Sequence, residues 1–294
     1  MYTAIPNLIC PGARKAGTTT LYYILMQHPE IEGSNIKEPA FFSRFYNEGL
    51  DWYRDLYKSH GNVKYLMDFS VNYMISEETV ERIYKTLGNN AKFIFMLRNP
   101  ADRAYSDYWM SRKFGKEESV EIEEAFRRDY EISLKEPANS NYYLSGLYGE
   151  HIEYFFKRFK RGNLHFIIFS EFIENPEKSC KDVFKFLGLD AVSDIDYGVW
   201  KNKASKSKRT VVSRVFKSVI KLIPMFIKRG IRPGFKFKIV RVVRRKQYKK
   251  REVISYKTDP DVCKWILDLY KDDIAKLEKL IGRDLSMWRE KYNN

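Results

Sequence analysis

Several things are scarce in this 294-residue chain, and each scarcity narrows its class. It has three cysteines, Cys10, Cys180 and Cys263, which fit neither a disulfide framework nor a metal-ligand spacing, so a reducing compartment is expected. No apolar run approaches the roughly 18 residues of a membrane span. No secretory leader is expected either, because the first motif begins within a dozen residues of Met1. Taken as written, the protein is expected to be soluble and cytoplasmic. Internal repeats and low-complexity tracts are absent. Acidic residues are missing from one long stretch: between Lys201 and Arg251 stand twelve Lys and eight Arg and no Asp or Glu. That stretch holds 20 of the 53 basic residues, leaving 33 against 38 acids elsewhere, a net −5. The formal charge of +15 is therefore a local feature with a local cause.

What is present is ample for a core. The composition is 44% hydrophobic and 16% aromatic, which excludes global disorder. The first two hundred residues alternate strand-like and helix-like segments. "AIPNLIC", "VKYLMDF", "AKFIFML" and "LHFIIFS" read as four short, mostly unalternating strands. Between them lie "TTTLYYILMQHP", "SEETVERIYKTLG", "RNPADRAYSDYWMSRKF" and "GLYGEHIEYFFKRFK", which read as helices. The expected fold is a single α/β domain over 1–294, with a parallel, P-loop-like sheet covered by helices on both faces. A basic helical segment is expected over 201–251 and one amphipathic helix over 259–281.

The stretch "LICPGARKAGTTTLYYIL" carries the first chemistry. Strand, glycine turn and helix N-terminus make an anion site by geometry and dipole. Gly12 and Gly17 permit the turn, Thr18 and Thr19 offer hydroxyls, and Lys15 brings charge. The plain alternative is a threonine-capped helix after a turn. In the triphosphate pattern G-x-x-x-x-G-K-[ST] the lysine follows the second glycine; here it precedes it. A P-loop kinase of a small molecule or sugar remains an alternative, with Thr18 and Asp68 in the metal-binding roles. A group with less charge than a γ-phosphoryl needs less metal, and a sulfuryl group is one.

"GARKAGTTTL" resembles the 5′-phosphosulfate loop of sulfotransferases that use 3′-phosphoadenosine 5′-phosphosulfate. "FIFMLRNPADRAYSDYWM" is similar to their 3′-phosphate motif, and "NIKEPAFFS" to the K-E-P-x-F-F segment of the heparan-sulfate and bacterial glycan members. "LYKDDIAKLEKLIGRDLSMW" is similar to the last helix of bacterial members. The resemblance implies that Lys15 reaches the bridging oxygen of the donor and that Arg14, Lys15, Ala16, Gly17, Thr18, Thr19 and Thr20 surround its 5′-phosphate. It implies Arg98 and Ser106 on the 3′-phosphate, Glu38 as general base, and no metal. It further implies an acceptor hydroxyl or amine, on a glycan or glycolipid.

Arg98 after a strand and before Asn-Pro suits a bidentate phosphate contact, and the plain alternative pairs it with a carboxylate. Arg103 is expected to be structural. Glu38 before Pro39 would ordinarily be a solvated loop residue. His28, His60, His151 and His165 are the alternative bases. Two departures stand out: "MDFSVNYM" carries Asp68 and Phe69 where many glycan-type members have E-K, and the C-terminal nucleotide loop survives only as "NKASKSKRT", where Lys206, Lys208 or Arg209 would close over the nucleotide. In "YLSGLYGEHIEYF", Ser145, Gly146 and Tyr148 resemble the family's S-x-Y stretch, with core packing as the expected role of Tyr148. The basic segment 201–251 reads as a solvated face, as a platform for an anionic glycan or lipid-linked acceptor, or as a membrane-surface contact. Nucleic acid is not expected, since no recognition motif or aromatic-basic surface is present. A basic glycan- or membrane-binding protein without catalysis is the remaining alternative.

Overall fold

Five parallel strands order the computed structural model of the chain, which describes residues 5–57, 63–119, 121–137, 140–198 and 258–292. They are β1 (Leu8–Gly12), β2 (Ile31–Gly33), β3 (Tyr65–Asp68), β4 (Lys92–Leu97) and β5 (Leu164–Ile168), in the order β2-β3-β1-β4-β5. All of β1 and β3, and β4 beyond Lys92, are buried, which explains their continuous apolar runs. Ile9 pairs with Asp68 of β3 on one side and with Phe93 of β4 on the other. The connection from β3 to β4 crosses over β1, so the winding reverses there and the carboxyl ends of β1 and β4 lie side by side. Ligands of doubly wound sheets bind at such a reversal.

The helices are α1 (Thr18–Leu25), α2 (Phe41–Arg44), α3 (Gly49–Asp55), α4 (Glu77–Leu87), α5 (Pro100–Lys113), α6 (Ile122–Lys135), α7 (Tyr148–Arg158), α8 (Phe169–Glu174), α9 (Pro176–Leu187), α10 (Pro260–Leu269), α11 (Lys271–Ile281) and α12 (Met287–Glu290). α1 packs with α9, and α7 with α4 and α11, so helices flank the sheet in separate groups. Their starts follow sequence chemistry. Asn99 caps α5 through its side-chain oxygen, which accepts from Ala101 N at 2.9 Å and Asp102 N at 3.2 Å, with Pro100 in the first turn. Asn175 with Pro176 and Asp259 with Pro260 repeat the device at α9 and α10.

Two elements depart from expectation. β2 is an unforeseen fifth strand: three residues, Ile-Glu-Gly, carry too little apolar pattern to register alone, and pairing with β3 defines it. The single helix expected over 259–281 is two, broken at Tyr270 (φ −101, ψ 2). Tyr270 is fully buried, stacks on Tyr143 with centroids 5.2 Å apart and donates to Tyr143 O at 2.8 Å. Those tertiary contacts override the helical period. The described residues belong to one compact unit, made from chain before residue 202 and after residue 258. The basic segment 201–251, with Lys206, Lys208 and Arg209, and His60, lie outside the described residues.

Candidate active site

The loop between β1 and α1 is fixed at both ends. Ala13 N donates to Met96 O of β4 at 2.7 Å, and Thr20 N to Gly17 O at 2.9 Å starts the helix. Gly17 holds φ +89, and a Cβ there would lie 2.9 Å from the Phe169 ring, so only glycine fits. The N–H of Ala16 is spent on Ala13 O (3.3 Å) and that of Thr20 on Gly17 O. Among the described residues the N–H groups of Gly17, Thr18 and Thr19 meet no acceptor. They point the positive end of α1 out of the loop.

Lys15, at φ 68, enters this loop on left-handed backbone. Its Nζ lies 3.5 Å from Met110 Sδ and has no carboxylate partner among the described residues. Burial pulls its pKa down to about 8; Asp107 opposes the shift, and Arg14, Arg98 and Lys113 add to it. A desolvated, unneutralised ammonium is costly to keep and favours an incoming anion. Arg98 lies next to it: Nη1 donates to Lys15 O at 3.0 Å, and the guanidinium stands 4.8 Å over the Phe169 ring. Its Nε is buried with no partner among the described residues, and burial disfavours its charge. The carboxylate pairing that was the plain alternative for Arg98 is not seen among the described residues. Tyr148 donates to Arg98 O at 3.0 Å from a fully buried position, so it packs in the core and steadies the turn after β4.

The residue preceding the lysine is used differently. Arg14 Nη2 lies 2.8 Å from Asp107 Oδ1, and the other oxygen of Asp107 takes Arg103 Nη1 at 3.3 Å. Arg103 is wholly buried and also donates to Tyr142 O, as its expected structural role requires. Thus α5 grips the loop through Asp107 and Met110. Ser106 stands beside Asp107 in α5, partly exposed, and its hydroxyl has no hydrogen-bond partner among the described residues. Sequence reasoning missed Asp107, Met110 and Phe169. The i,i+4 pair Arg103–Asp107 was a visible signal for the first; Met110 and Phe169 matter only through tertiary approach.

Glu38 sits on the other side of β1. Its side chain is 44% exposed, and Lys37 Nζ lies 2.5 Å from Oε1. Glu38 and Lys37 both perturb buried Cys10 of β1, and Glu38 also perturbs Asp68 of β3, which puts the pair near the carboxyl ends of those strands. Asp68 itself is fully buried and receives Tyr53 OH (2.7 Å), Tyr73 OH (2.8 Å) and Ser70 OH (2.5 Å). Burial raises its pKa to about 6 against those donors. A carboxylate enclosed by three hydroxyls is not free for the metal role that the kinase alternative needs. Phe69, in place of lysine, packs in the core edge-on to Tyr22.

The described histidines are engaged elsewhere. His28 Nδ1 accepts from Glu30 N at 3.2 Å and Nε2 lies 3.1 Å from Asp190 O. His151 is buried beside Leu144 O (2.7 Å), and His165 stacks on Phe186, where burial lowers its pKa to about 4. None belongs to the loop or to the Glu38 segment.

A doubly wound parallel sheet with an anion loop after its central strand and an arginine after the next defines a P-loop-like α/β protein. The chain belongs to the sulfotransferase domain family, which it matches over residues 6–249. Among curated proteins it is 30% identical over 189 residues to mouse heparan sulfate glucosamine 3-O-sulfotransferase 3B1, a match covering 64% of this chain and 47% of that protein. It is 31% identical over 198 residues to human bifunctional heparan sulfate N-deacetylase/N-sulfotransferase 2, covering 63% of this chain and 22% of that one. The matched region thus spans less than half of either relative. A crystal structure of a sulfotransferase from Alicyclobacillus acidocaldarius shares the fold, with TM-score 0.69, 24% identity and coverage of 97% of this chain and 99% of that one.

Proposed function

We propose that this protein transfers a sulfuryl group from 3′-phosphoadenosine 5′-phosphosulfate to a hydroxyl or amine of a carbohydrate acceptor. The observation that carries this reading is the pairing of two cations at the carboxyl ends of β1 and β4. Lys15 is half-buried with no carboxylate partner among the described residues, and Arg98 beside it has a buried, unpartnered Nε. Arg98 is bonded to the carbonyl of Lys15, two residues before the N–H groups of Gly17, Thr18 and Thr19 that meet no acceptor among the described residues. Such a site is prearranged for a polyanion, and fixed positive groups placed where charge develops supply most of the acceleration in transfers of this kind.

In this reading the N–H groups of Gly17, Thr18 and Thr19 hold the 5′-phosphate. Lys15 stands at the bridging oxygen, where its ammonium offsets the charge that grows as the sulfur–oxygen bond breaks. Arg98 offers its unpartnered Nε, and Ser106 its hydroxyl, to the 3′-phosphate. Glu38 accepts the proton from the acceptor hydroxyl or amine as that group attacks in line. Its exposure suits an acceptor arriving from solvent, and the ion pair with Lys37 orients it. The protein side needs no metal, because Lys15, Arg98 and backbone donors carry the neutralisation. The relatives named for heparan sulfate support a glycan acceptor.

The test is transfer of labelled sulfate from the donor to a panel of glycans and glycolipids, beside ATP with Mg²⁺ as phosphate donor. Sulfate transfer to a carbohydrate with EDTA present is the expected outcome. Phosphate transfer from ATP with no sulfate transfer overturns the reading in favour of a kinase.

A further inference from the structure

We propose that Asp68 is a positioning residue for Glu38, acting through the hydroxyls of Ser70 and Tyr73. The inference rests on Glu38 being the base, and it concerns what holds Glu38 in place. Glu38 (φ 64) and Ala40 (φ 55) both occupy left-handed backbone, although neither is glycine, and Pro39 lies between them. Such conformations persist only where surrounding structure over-determines them, and they gather at functional sites.

The surrounding structure here is one buried carboxylate. Asp68 Oδ1 accepts from Ser70 OH at 2.5 Å, and Ser70 Oγ in turn accepts the N–H of Ala40 at 2.9 Å. Asp68 Oδ2 accepts from Tyr73 OH at 2.8 Å, and that phenol oxygen accepts the N–H of Phe42 at 3.2 Å. Oδ2 also accepts from Tyr53 OH at 2.7 Å, and the Tyr53 ring stacks on Phe41 with centroids 4.3 Å apart and planes 9° from parallel. Three consecutive residues, 40 to 42, are therefore each held by one of the three hydroxyl-bearing partners of Asp68.

The direction of these bonds gives the carboxylate its role. An ionised carboxylate only accepts, so both hydroxyls must spend their single proton on it. Their lone pairs are then left for the two amides, which only donate. An asparagine at 68 would turn an NH₂ toward Ser70 or toward Tyr53 and Tyr73. Each hydroxyl facing it would lose the acceptor for its proton and have to reorient, loosening its hold on residues 40–42. Asp68 is anchored in turn by the register of β3 against Ile9 of β1, the strand that leads into the Lys15 loop. The relay thus fixes the base relative to the strand that carries the donor site.

The experiment joins amide hydrogen exchange over residues 38–44 with sulfate transfer to a heparan sulfate oligosaccharide, in Asp68→Asn, Ser70→Ala and Tyr73→Phe. Asp68→Asn is expected to speed exchange at both Ala40 and Phe42 and to lower kcat by about 10²-fold, the scale of a misplaced catalytic group. Ser70→Ala should free the Ala40 amide and Tyr73→Phe the Phe42 amide, each lowering kcat by roughly tenfold while keeping the fold. Affinity for 3′-phosphoadenosine 5′-phosphate should stay within about twofold, and Asp68→Asn added to Glu38→Gln should cost nothing further. Unchanged exchange in the variants, or nucleotide affinity falling together with kcat, overturns the anchor. Wild-type turnover by Glu38→Gln overturns the proposal through the base assignment instead, and the exchange data separate the two failures. If Asp68→Asn does not fold, the two hydroxyl variants carry the same test.

Discussion

Lys15 and Glu38 both stand on left-handed backbone, and there the likeness ends. Lys15 lies in a loop tied to β4 by Ala13 N and to α5 by the Arg14–Asp107 pair, with its ammonium half-buried against Met110. Glu38 lies on a segment between β2 and α2, half open to solvent, and the residues that follow it are held by hydroxyl relays from Asp68 of β3. On the proposed reading the first side binds a donor that never varies, so its groups are fixed and desolvated before binding. The second must admit a large acceptor, so its reacting group is exposed and its rigidity comes from behind. A desolvated cation favours affinity and charge stabilisation; an exposed base favours access.

The sharpest way to break this comparison is Glu38→Gln, which keeps shape and removes the proton acceptor. Turnover should fall by about 10²–10⁴-fold, while affinity for 3′-phosphoadenosine 5′-phosphate, measured by calorimetry, stays unchanged. Asp68→Asn and His28→Ala belong in the same experiment. Near-normal rate in the Glu38 variant, with either of the others inactive yet still binding nucleotide, would move the base to that residue.

Lys15→Ala comes next. Removing one donor aimed at developing charge should lower kcat by about 10²–10³-fold. Nucleotide should still bind, because Gly17, Thr18 and Thr19 keep their N–H groups. Wild-type turnover in this variant would reduce Lys15 to a loop cation and remove the contrast between the two sides.

The same contrast explains what the sequence made legible. The donor side is a short-range construction: glycine, lysine and threonine within one turn, then an arginine at a strand end before Asn-Pro. Such signals are local: Lys15, Gly17, Thr18, Thr19 and Arg98 were read as candidates from them, Ser106 came through the family resemblance, and four of the five strands were read from their apolar runs. Asp107 and Met110 escaped because their effect depends on α5 approaching the loop. On the other side only Glu38 was legible, through its resemblance to the K-E-P-x-F-F segment. Ser70, Tyr73 and Tyr53 gave no signal, because hydroxyls distant in sequence converge on residues 40–42 only after β3 pairs with β1. Tyr270 was missed for the same reason: burial against Tyr143 outweighed a good helical period.

A smaller effect tests the 3′-phosphate side. Arg98→Ala and Ser106→Ala should each weaken binding of 3′-phosphoadenosine 5′-phosphate by roughly 1.5–3 kcal/mol, about ten- to hundredfold, if they make charge-assisted bonds to that group. Affinity for AMP, which lacks the 3′-phosphate, should change little on Ser106→Ala. Calorimetry with EDTA present compares the two nucleotides. Equal losses for both would show that these residues hold the loop rather than read the phosphate.

The smallest effect is a pH dependence set by Lys15. Burial lowers its pKa to about 8 in the free protein, so it loses its proton over a range where an exposed lysine keeps it. A bound anion favours the charged form, so nucleotide binding takes up a proton above that pKa. Affinity for 3′-phosphoadenosine 5′-phosphate should therefore fall as pH rises through 8, by up to about tenfold between pH 7 and pH 9. Stability should move the other way. The unfolded chain holds this proton up to its ordinary pKa near 10.5 and the free folded protein does not, so this residue's contribution to stability rises with pH between about 8 and 10.5. Binding titrations from pH 7 to 9, with denaturation curves continued to higher pH, follow both slopes in the wild type and in Lys15→Ala. The binding slope should vanish in the variant, and the stability difference between wild type and variant should carry the second slope, with opposite sign. A binding slope that persists without Lys15 would assign the proton to another group at the site and remove the claim that the donor side is poised by a desolvated cation.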